Sequence, residues 1–406
     1  MTETELPFRA QLKAAVRNEL LDQLLTNGRA IKPAAGSLPP RPLSSHEFAI
    51  RDFKLEWFVE GLMVMGQPGV IGAPKKSLKT GLSVDLTISL ASGTPFLGQF
   101  QVPQPRRVCL FSGESGPATL KETAIRVCRS KSIDLQSLPA FWDFRLPAFN
   151  SEKNRERVAS MIKQLALQMV IIDPLYLSLP TSASGKTVNP ANLFEMGPLL
   201  QTISQTCLRA GATPIFVHHT KKMGGTGAEI RSKYAPIELD ALSFSGVPEF
   251  ARQWMLLNRR EEYVLGSGQH KLWMSVGGSA GFSGCWAVDV DEGQVVRNFS
   301  GRGWKVTIRS QTQELEEKEA RKVVSKQEKE HKDRTDVMDL LKQSETPQTQ
   351  TDICGATGIS KARVKSAVEH LVKERRIKKS PVTKACGTGT KTHDGYTISK
   401  QVKKGG

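Results

Sequence analysis

Gly72-Ala73-Pro74-Lys75-Lys76-Ser77-Leu78-Lys79-Thr80 follows a short apolar run, Val70-Ile71, and opens a stretch with Leu82, Leu86 and Leu90 at helical spacing. A strand running into such a loop and then a helix is where a phosphate-binding loop belongs, because the first N–H groups of a helix lack internal acceptors and favour anions. Lys79 and Thr80 match the end of the Gly-x4-Gly-Lys-Ser/Thr pattern, in which the lysine reaches β and γ phosphate oxygens and the hydroxyl ligates Mg2+. The two glycine positions carry Ala73 and Leu78, unless the loop is one residue longer and Gly72 serves as the first glycine. Leu78 has a Cβ and disfavours φ > 0, so the turn before Lys79 either differs from the common one or carries strain. Lys75 and Lys76 offset this by adding cationic donors to the helix start. Taken alone, the segment also fits a basic surface turn.

The order of elements downstream favours the phosphate loop. Arg107 to Glu114 reads as a strand ending on a carboxylate, Met169 to Asp173 as a fully apolar strand ending on an aspartate, and Pro214 to Thr220 as a third with polar residues at its end. Helical patterns fill residues 117–129, 151–167 and 191–209 between them. This alternation predicts an α/β fold with a mainly parallel sheet, and ligands of such sheets bind at the carboxyl ends of the strands. There Asp173 would hold Mg2+ and Glu114 would polarise the attacking water, while His218, His219 and Thr220 would sense the γ-phosphate. The plainer alternatives are a helix N-terminal acid for Glu114 and ordinary loop or core hydrogen bonding for the two histidines. No third His or Cys stands near them at ligand spacing.

Trp57-Phe-Val-Glu-Gly, the phosphate loop, Leu90-Ala-Ser-Gly-Thr-Pro-Phe-Leu-Gly, Phe111-Ser-Gly-Glu114, Ile171-Ile-Asp173 and Phe216-Val-His-His219 occur in that order. The set resembles the RepA-type AAA ATPases of the RecA-like class, a family that includes hexameric replicative helicases of plasmids, and the resemblance spans about residues 47 to 300. It implies a RecA-like P-loop NTPase core, a hexameric ring of identical subunits, and ATP with Mg2+ hydrolysed between neighbours. Lys79, Thr80, Glu114 and Asp173 would fill the roles argued above. The departure is the phosphate loop, whose missing glycines bear on the rate of hydrolysis. Such rings commonly use an arginine from the neighbour to stabilise γ-phosphate charge. Arg252 is the first candidate and the Arg259-Arg260 pair the second, with surface ion pairing as the alternative. Tyr263–Leu265, Lys271–Ser275 and Cys285–Val290, separated by Gly-rich turns, read as antiparallel strands that extend the sheet.

At 406 residues and 39% hydrophobic content, the chain can hold one large core and one or two small modules. No apolar stretch reaches membrane-spanning length and the first residues lack a secretory pattern, so no membrane partner and a cytoplasmic location are expected. The six cysteines, Cys109, Cys128, Cys207, Cys285, Cys354 and Cys386, are scattered and suggest neither a zinc site nor a disulfide framework.

The formal net charge of +17 points to nucleic acid. Residues 334–406 hold fifteen Lys/Arg against seven Asp/Glu, a local excess of +8. Residues 335–343 form a short apolar-striped helix, Thr349 or Thr351 caps a second, and Ser360 caps a third over 361–374 with Val364, Ala367, Val368, Leu371 and Val372 on one face. A basic run and a Gly/Thr/Lys-rich hairpin follow. Three helices and a hairpin look like a small winged helix-turn-helix domain. The first turns of its recognition helix would place Ser360, Lys361, Arg363 and Lys365 in the major groove of double-stranded DNA. Arg375, Arg376, Lys378 and Lys379, with Lys384 and Lys391 of the wing, would contact phosphates. A protein-docking module with solvated charges is the alternative.

The expected plan is an N-terminal helix (8–26) and Pro-rich linker within residues 1–44, a RecA-like ATPase domain over 45–308, a charged helical linker over 309–333, and the winged helix over 334–406. Pairs four apart in the linker, Glu314 with Lys318, Glu317 with Arg321 and Glu328 with Lys332, suit a solvent-exposed helix. The function expected is a DNA-binding ATPase, a ring helicase or translocase acting in replication or recombination of a mobile element, with single-stranded DNA passing the ring. A non-catalytic DNA-binding regulator that uses ATP binding as an assembly switch is the competing expectation.

Overall fold

Val70 and Ile71 are buried on both sides of strand β3 (Gly69–Ala73), and the period of two sends them to different cores. In the computed structural model, which describes residues 42–147, 149, 151–179, 189–221, 233–294, 296, 300–386 and 389–399, this strand lies within a nine-stranded sheet. Ile71 and Ala73 pack with helices α2 (Lys79–Ser92) and α3 (Pro117–Lys131) on one face. Val70 packs with α4 (Glu152–Gln164) and α5 (Leu193–Ala210) on the other. Strands β4 (Val108–Ser112) and β6 (Met169–Asp173) are buried along their whole length, which is why their sequences are continuous apolar runs instead of alternating ones. The helix expected over residues 8–26 lies outside the described residues, as does most of the Pro-rich stretch.

Residues 42–54 belong to a separate compact unit. Its helix α1 (Ser45–Ile50) starts on a capping box between Ser44 and Glu47, and Phe48 meets Phe53 at 5.3 Å between ring centroids. In the second unit a small ribbon, β1 (Trp57–Val59) with β2 (Met63–Val64), precedes β3. The remaining strands of the main sheet are β5 (Ala140–Asp143), β7 (Thr213–His219), β8 (Gln253–Arg259), β9 (Gln269–Gly278), β10 (Ser283–Asp291) and β11 (Lys305–Ser310). Their order is β11-β10-β9-β8-β3-β7-β6-β4-β5. From β8 to β5 every neighbouring pair is parallel, and β9, β10 and β11 add an antiparallel extension beyond β8.

The expected α/β fold, a mainly parallel sheet with an antiparallel extension, is therefore observed. The apolar run Trp254–Leu257 forms the middle of β8, a parallel neighbour of β3. One expected element differs. Tyr263–Leu265 is not a strand; it belongs to the reversal between β8 and β9, where Gly266 and Gly268 take φ of +78° and +68°.

One helix, α6 (Gln311–Gln343), runs without a break from the sheet into the C-terminal cluster, so the charged linker and the first expected helix of that cluster are the same element. Of the pairs expected along it, Glu317 holds Arg321 at 3.0 Å, whereas Glu314 turns back to Arg309 at 2.7 Å and to Arg260. Helices α7 (Gln350–Thr357) and α8 (Lys361–Lys373) follow, with β12 (Gln348–Thr349) and the hairpin β13 (Ile377–Cys386) and β14 (Gly389–Ile398). Val337, Leu341, Ile353, Val364, Val368, Leu371 and Tyr396 close a core of their own. Thr349 caps α7 through a capping box with Asp352; Ser360 takes the N-cap position of α8 but its side chain makes no cap bond.

Gly72, the first glycine of a phosphate loop one residue longer, lies in β3 next to Ala73. A Cβ built there would fall 2.4 Å from Leu242 Cδ2 and 2.7 Å from Leu256 Cδ2, so the glycine permits close packing against β8 and the 239–242 turn. Gly72→Val is expected to lower stability by about 1–3 kcal/mol, the usual cost of overpacking a core. Urea denaturation measures it, and an unchanged midpoint would contradict this packing.

Candidate active site

The phosphate loop joins β3 to α2, and the first residue of α2 is Lys79. Leu78 takes φ 58° and ψ 20° at the N-cap, and Lys76 takes φ 58° as well. The left-handed conformation costs a residue with a Cβ about 1–2 kcal/mol, so two non-glycine residues hold the loop at some expense. In the first turn of α2, Gly81 leaves room for the Trp304 ring, whose Cη2 would lie only 3.1 Å from a Cβ at that position.

Lys79 is only 8% exposed. Its Nζ donates to the carbonyl oxygens of Ala73 at 3.0 Å and Pro74 at 2.9 Å. Burial lowers its pKa to about 8 against the pull of Asp173 and Glu114, with Lys75 adding to the fall. Thr80 Oγ1 donates to Asp173 Oδ2 at 2.8 Å. Asp173 is 3% exposed, and burial raises its pKa to about 6 although the Thr80 bond and Lys79 both favour the charge.

Glu114 reaches the same place because β4 and β6 are paired in register, Ser112 opposite Asp173, and the Gly113 N–H donates to the Asp173 carbonyl at 2.8 Å. Its exposed carboxylate accepts a hydrogen bond at Oε1 from Tyr176 Oη at 2.6 Å, which is the main reason that the tyrosine pKa rises to about 12. Lys75, Lys76, Ser77, Leu78, Lys79, Thr80, Glu114, Asp173, Tyr176, His219 and His270 line one cleft of about 780 Å3. Tyr176 and His270 carry no signal in the sequence that would place them here. Tyr176 stands three residues past Asp173 on a one-turn helix, Leu175–Ser178, too short to show a periodic pattern, and His270 enters from β9.

The two histidines separate. His218 is buried in the core, its Nε2 within 2.9 Å of both the carbonyl oxygen and the hydroxyl of Ser243, and burial depresses its pKa to about 4. It is therefore a neutral structural residue, because side chains alternate across β7 and only its neighbour faces the cleft. His219 lines the cleft, its pKa lowered first by burial and then by Lys79.

The residues present fit a nucleotide and Mg2+. Thr80 and Asp173 supply the hard oxygen donors that Mg2+ takes. Ser77 Oγ, His219 Nδ1 and Thr220 Oγ1 are buried without a hydrogen-bond partner among the described residues, and Ser77 and His219 lie on the cleft itself. Such orphaned groups suit the oxygens of a bound ligand.

Arg252 is exposed at the start of β8, its N–H bonded to the Pro68 carbonyl at 3.1 Å, at the end of the sheet away from the phosphate loop. Arg260 is not available as a finger: it is committed to Asp289 and Glu314 and stacks 5.5 Å from the Trp273 ring centroid. Arg259 lies at the loop end and donates to the Lys76 carbonyl at 2.6 Å.

In the C-terminal cluster Ser360, Lys361, Lys365, Arg375, Arg376 and Lys378 are exposed. Arg363 is not free: its Nε donates to buried Asp333 of α6 at 2.7 Å and its Nη2 to the same carboxylate, so it ties α8 to α6. Lys379 pairs with Asp394 at 3.0 Å and Lys384 with Asp352 at 2.5 Å. These partners come from other elements, which spacing along the chain does not reveal.

Residues 37–225 match the family model of an AAA domain. Comparison with curated proteins gives no match. The matched segment contains Lys79, Thr80, Glu114 and Asp173, and the match supports an AAA-type P-loop ATPase domain over these residues. No helix among the described residues is long and apolar enough to cross a membrane.

Burying a charged Asp173 destabilises the ligand-free protein. Its folded pKa of about 6 lies above the unfolded value of 3.8, so this cost is present above pH 6 and is relieved as protonation proceeds below it. Asp173→Asn is expected to raise stability at pH 7.5 by about 2 kcal/mol and to lose that gain towards pH 4. Thermal melts across this range measure it; a gain that persists at pH 4 would contradict the cause assigned.

Proposed function

We propose that the protein is a DNA-dependent ATPase that works as a ring of identical subunits of the RepA type, moving on or unwinding DNA in the replication or recombination of a mobile element. The observation that carries the ATPase part is the convergence of Lys79, Thr80, Asp173 and Glu114 on one cleft at the carboxyl ends of β3, β4 and β6. The loop N–H groups and Lys79 bind the β and γ phosphates of ATP, and Lys79 exchanges its two backbone acceptors for phosphate oxygens. Thr80 and Asp173 would hold Mg2+, which when bound neutralises charge on the phosphates. Glu114 orients the attacking water through Oε2 and receives its proton there, while Tyr176 fixes the carboxylate through Oε1. His219, beside the loop end, senses the γ-phosphate.

Arg252 acts in trans. Its distance from the loop within one chain suits a finger that completes a neighbour's cleft, and this supports a ring, which we expect to be hexameric. The C-terminal cluster serves as a winged helix on double-stranded DNA, with Ser360, Lys361 and Lys365 in the groove and Arg375, Arg376 and Lys378 on phosphates. Support comes from the local charge excess and from the exposure of these residues. Arg363 is removed from the set and holds α8 at its angle to α6.

The left-handed Leu78 and Lys76 favour a second reading, a DNA-binding regulator in which ATP binding sets assembly with negligible turnover. Steady-state ATP hydrolysis with and without DNA separates the two. The motor reading predicts turnover that DNA stimulates and that Lys79→Ala reduces by about 100-fold. Unaltered hydrolysis by Lys79→Ala would sink the site assignment, and nucleotide-dependent oligomers without turnover would establish the regulator. In a DNA titration Arg375→Ala with Lys378→Ala, two of the residues assigned to phosphates, is expected to weaken DNA binding and reduce the slope of log affinity against log salt by about 2. An unchanged slope would remove these residues from the DNA interface.

A further inference from the structure

The phosphate loop keeps a left-handed path without the glycines that normally permit it, and something outside the loop has to hold it there. We propose that Arg259 is a positioning residue that braces this loop in its phosphate-binding conformation, offsetting the cost of the left-handed Lys76 and Leu78; the proposal rests on the reading of the loop as a nucleotide site.

Arg259 ends β8, the strand paired in parallel with β3, so it emerges beside the loop that β3 feeds. Its Nη2 donates to the carbonyl oxygen of Lys76 at 2.6 Å. That carbonyl belongs to the peptide between Lys76 and Ser77, within the short stretch that runs from one residue at φ 58°, Lys76, to the other, Leu78. A phosphate loop presents its N–H groups to the ligand, so its carbonyls must turn away, and an external donor stabilises a carbonyl held in that orientation. For a lysine or leucine the ordinary right-handed and extended regions are preferred, and the left-handed arrangement without a brace would be a minor population.

Arg259 is itself supported. Its guanidinium carbon lies 5.0 Å from the ring centroid of Tyr263, the Tyr263 ring stacks on His270 at 4.7 Å with an interplanar angle of 18°, and His270 Nε2 lies 3.0 Å from Glu292. Glu292 is anchored by Arg126 at 2.9 Å, on α3. A continuous row of contacts therefore runs from the buried Glu292–Arg126 ion pair to one carbonyl of the loop. This gives a role to the 263–265 turn that pairing within the sheet does not explain.

The apparent affinity of a ligand falls with the fraction of protein in the competent conformation. If the brace raises that fraction, its removal costs much when position 76 carries a side chain and little when it carries glycine, which populates φ > 0 freely. The test is a double-mutant cycle read by calorimetric binding of the non-hydrolysable analogue AMP-PNP with Mg2+. Arg259→Ala is expected to weaken binding about tenfold, or about 1.4 kcal/mol, in the native background. In the Lys76→Gly background the same change should cost under about threefold. An equal loss in both backgrounds would make Arg259 a direct ligand contact and overturn the brace, and so would no loss in either. Arg259→Gln, which keeps a donor amide on a shorter stem, takes the place of the alanine variant in the cycle if the latter fails to fold. Lys79→Ala in the same assay distinguishes the premise: analogue binding as tight as in the native protein would refute the nucleotide site itself.

Discussion

A buried cation and a buried carboxylate have to share one cleft at the carboxyl ends of the central strands. Lys79 and Asp173 are both buried, and burial works against the charge on each, lowering one pKa to about 8 and raising the other to about 6. What makes the arrangement tolerable is that each has partners: two loop carbonyls for the ammonium, the Thr80 hydroxyl for the carboxylate, and the opposite charge of the other across the cleft. A phosphate with its metal would satisfy both, and the buried hydroxyl of Ser77, without a partner among the described residues, suits the same ligand. The site is thus costly when empty, which is common where binding and catalysis are carried out.

The parallel sheet imposes this geometry. Strands β3, β4 and β6 all run towards the same edge, so residues that are 35 to 94 positions apart in the chain, Lys79, Glu114 and Asp173, meet there. This part was legible in the sequence, because a strand buried on both faces has a continuous apolar run and its polar terminus marks the edge. Met169–Asp173 is found with the bounds read for it. Gly72 reads two ways because a glycine next to a loop can as well serve a close crossing of strands, and the positions of Leu242 and Leu256 give it that packing role. His218 and His219 read alike as neighbours at a strand end, yet the pleat sends one to Ser243 in the core and the other to the cleft. Tyr176, His270 and Arg259 come from a one-turn helix, a strand of the antiparallel extension and the far end of β8, so their meeting depends on tertiary packing that no local pattern records.

The C-terminal cluster follows the same division. Its helices were legible from apolar spacing: Val364, Ala367, Val368 and Leu371 are all buried on α8. Its charges were only partly legible. Net charge describes a surface as a whole, whereas Arg363 and Lys384 are committed to Asp333 and Asp352, acids that lie 30 and 32 residues away in the chain. The same applies to α6, where Glu314 takes Arg260, just past β8, and Arg309 of β11 as partners instead of the lysine one turn ahead. Because α6 passes without interruption from the edge of the sheet to the core of the cluster, a displacement at either end has a stiff element through which to act.

If Glu114 and Asp173 meet at the loop in order to hydrolyse the nucleotide that Lys79 holds, the two carboxylates should separate binding from turnover. Steady-state ATP hydrolysis by Glu114→Gln, alongside its affinity for ATP, is the sharpest check. ATP should still bind while turnover falls by at least about 100-fold, since the amide can occupy the place of the carboxylate but cannot take the proton from water. Turnover equal to that of the native protein, with ATP bound as tightly, would contradict a catalytic Glu114.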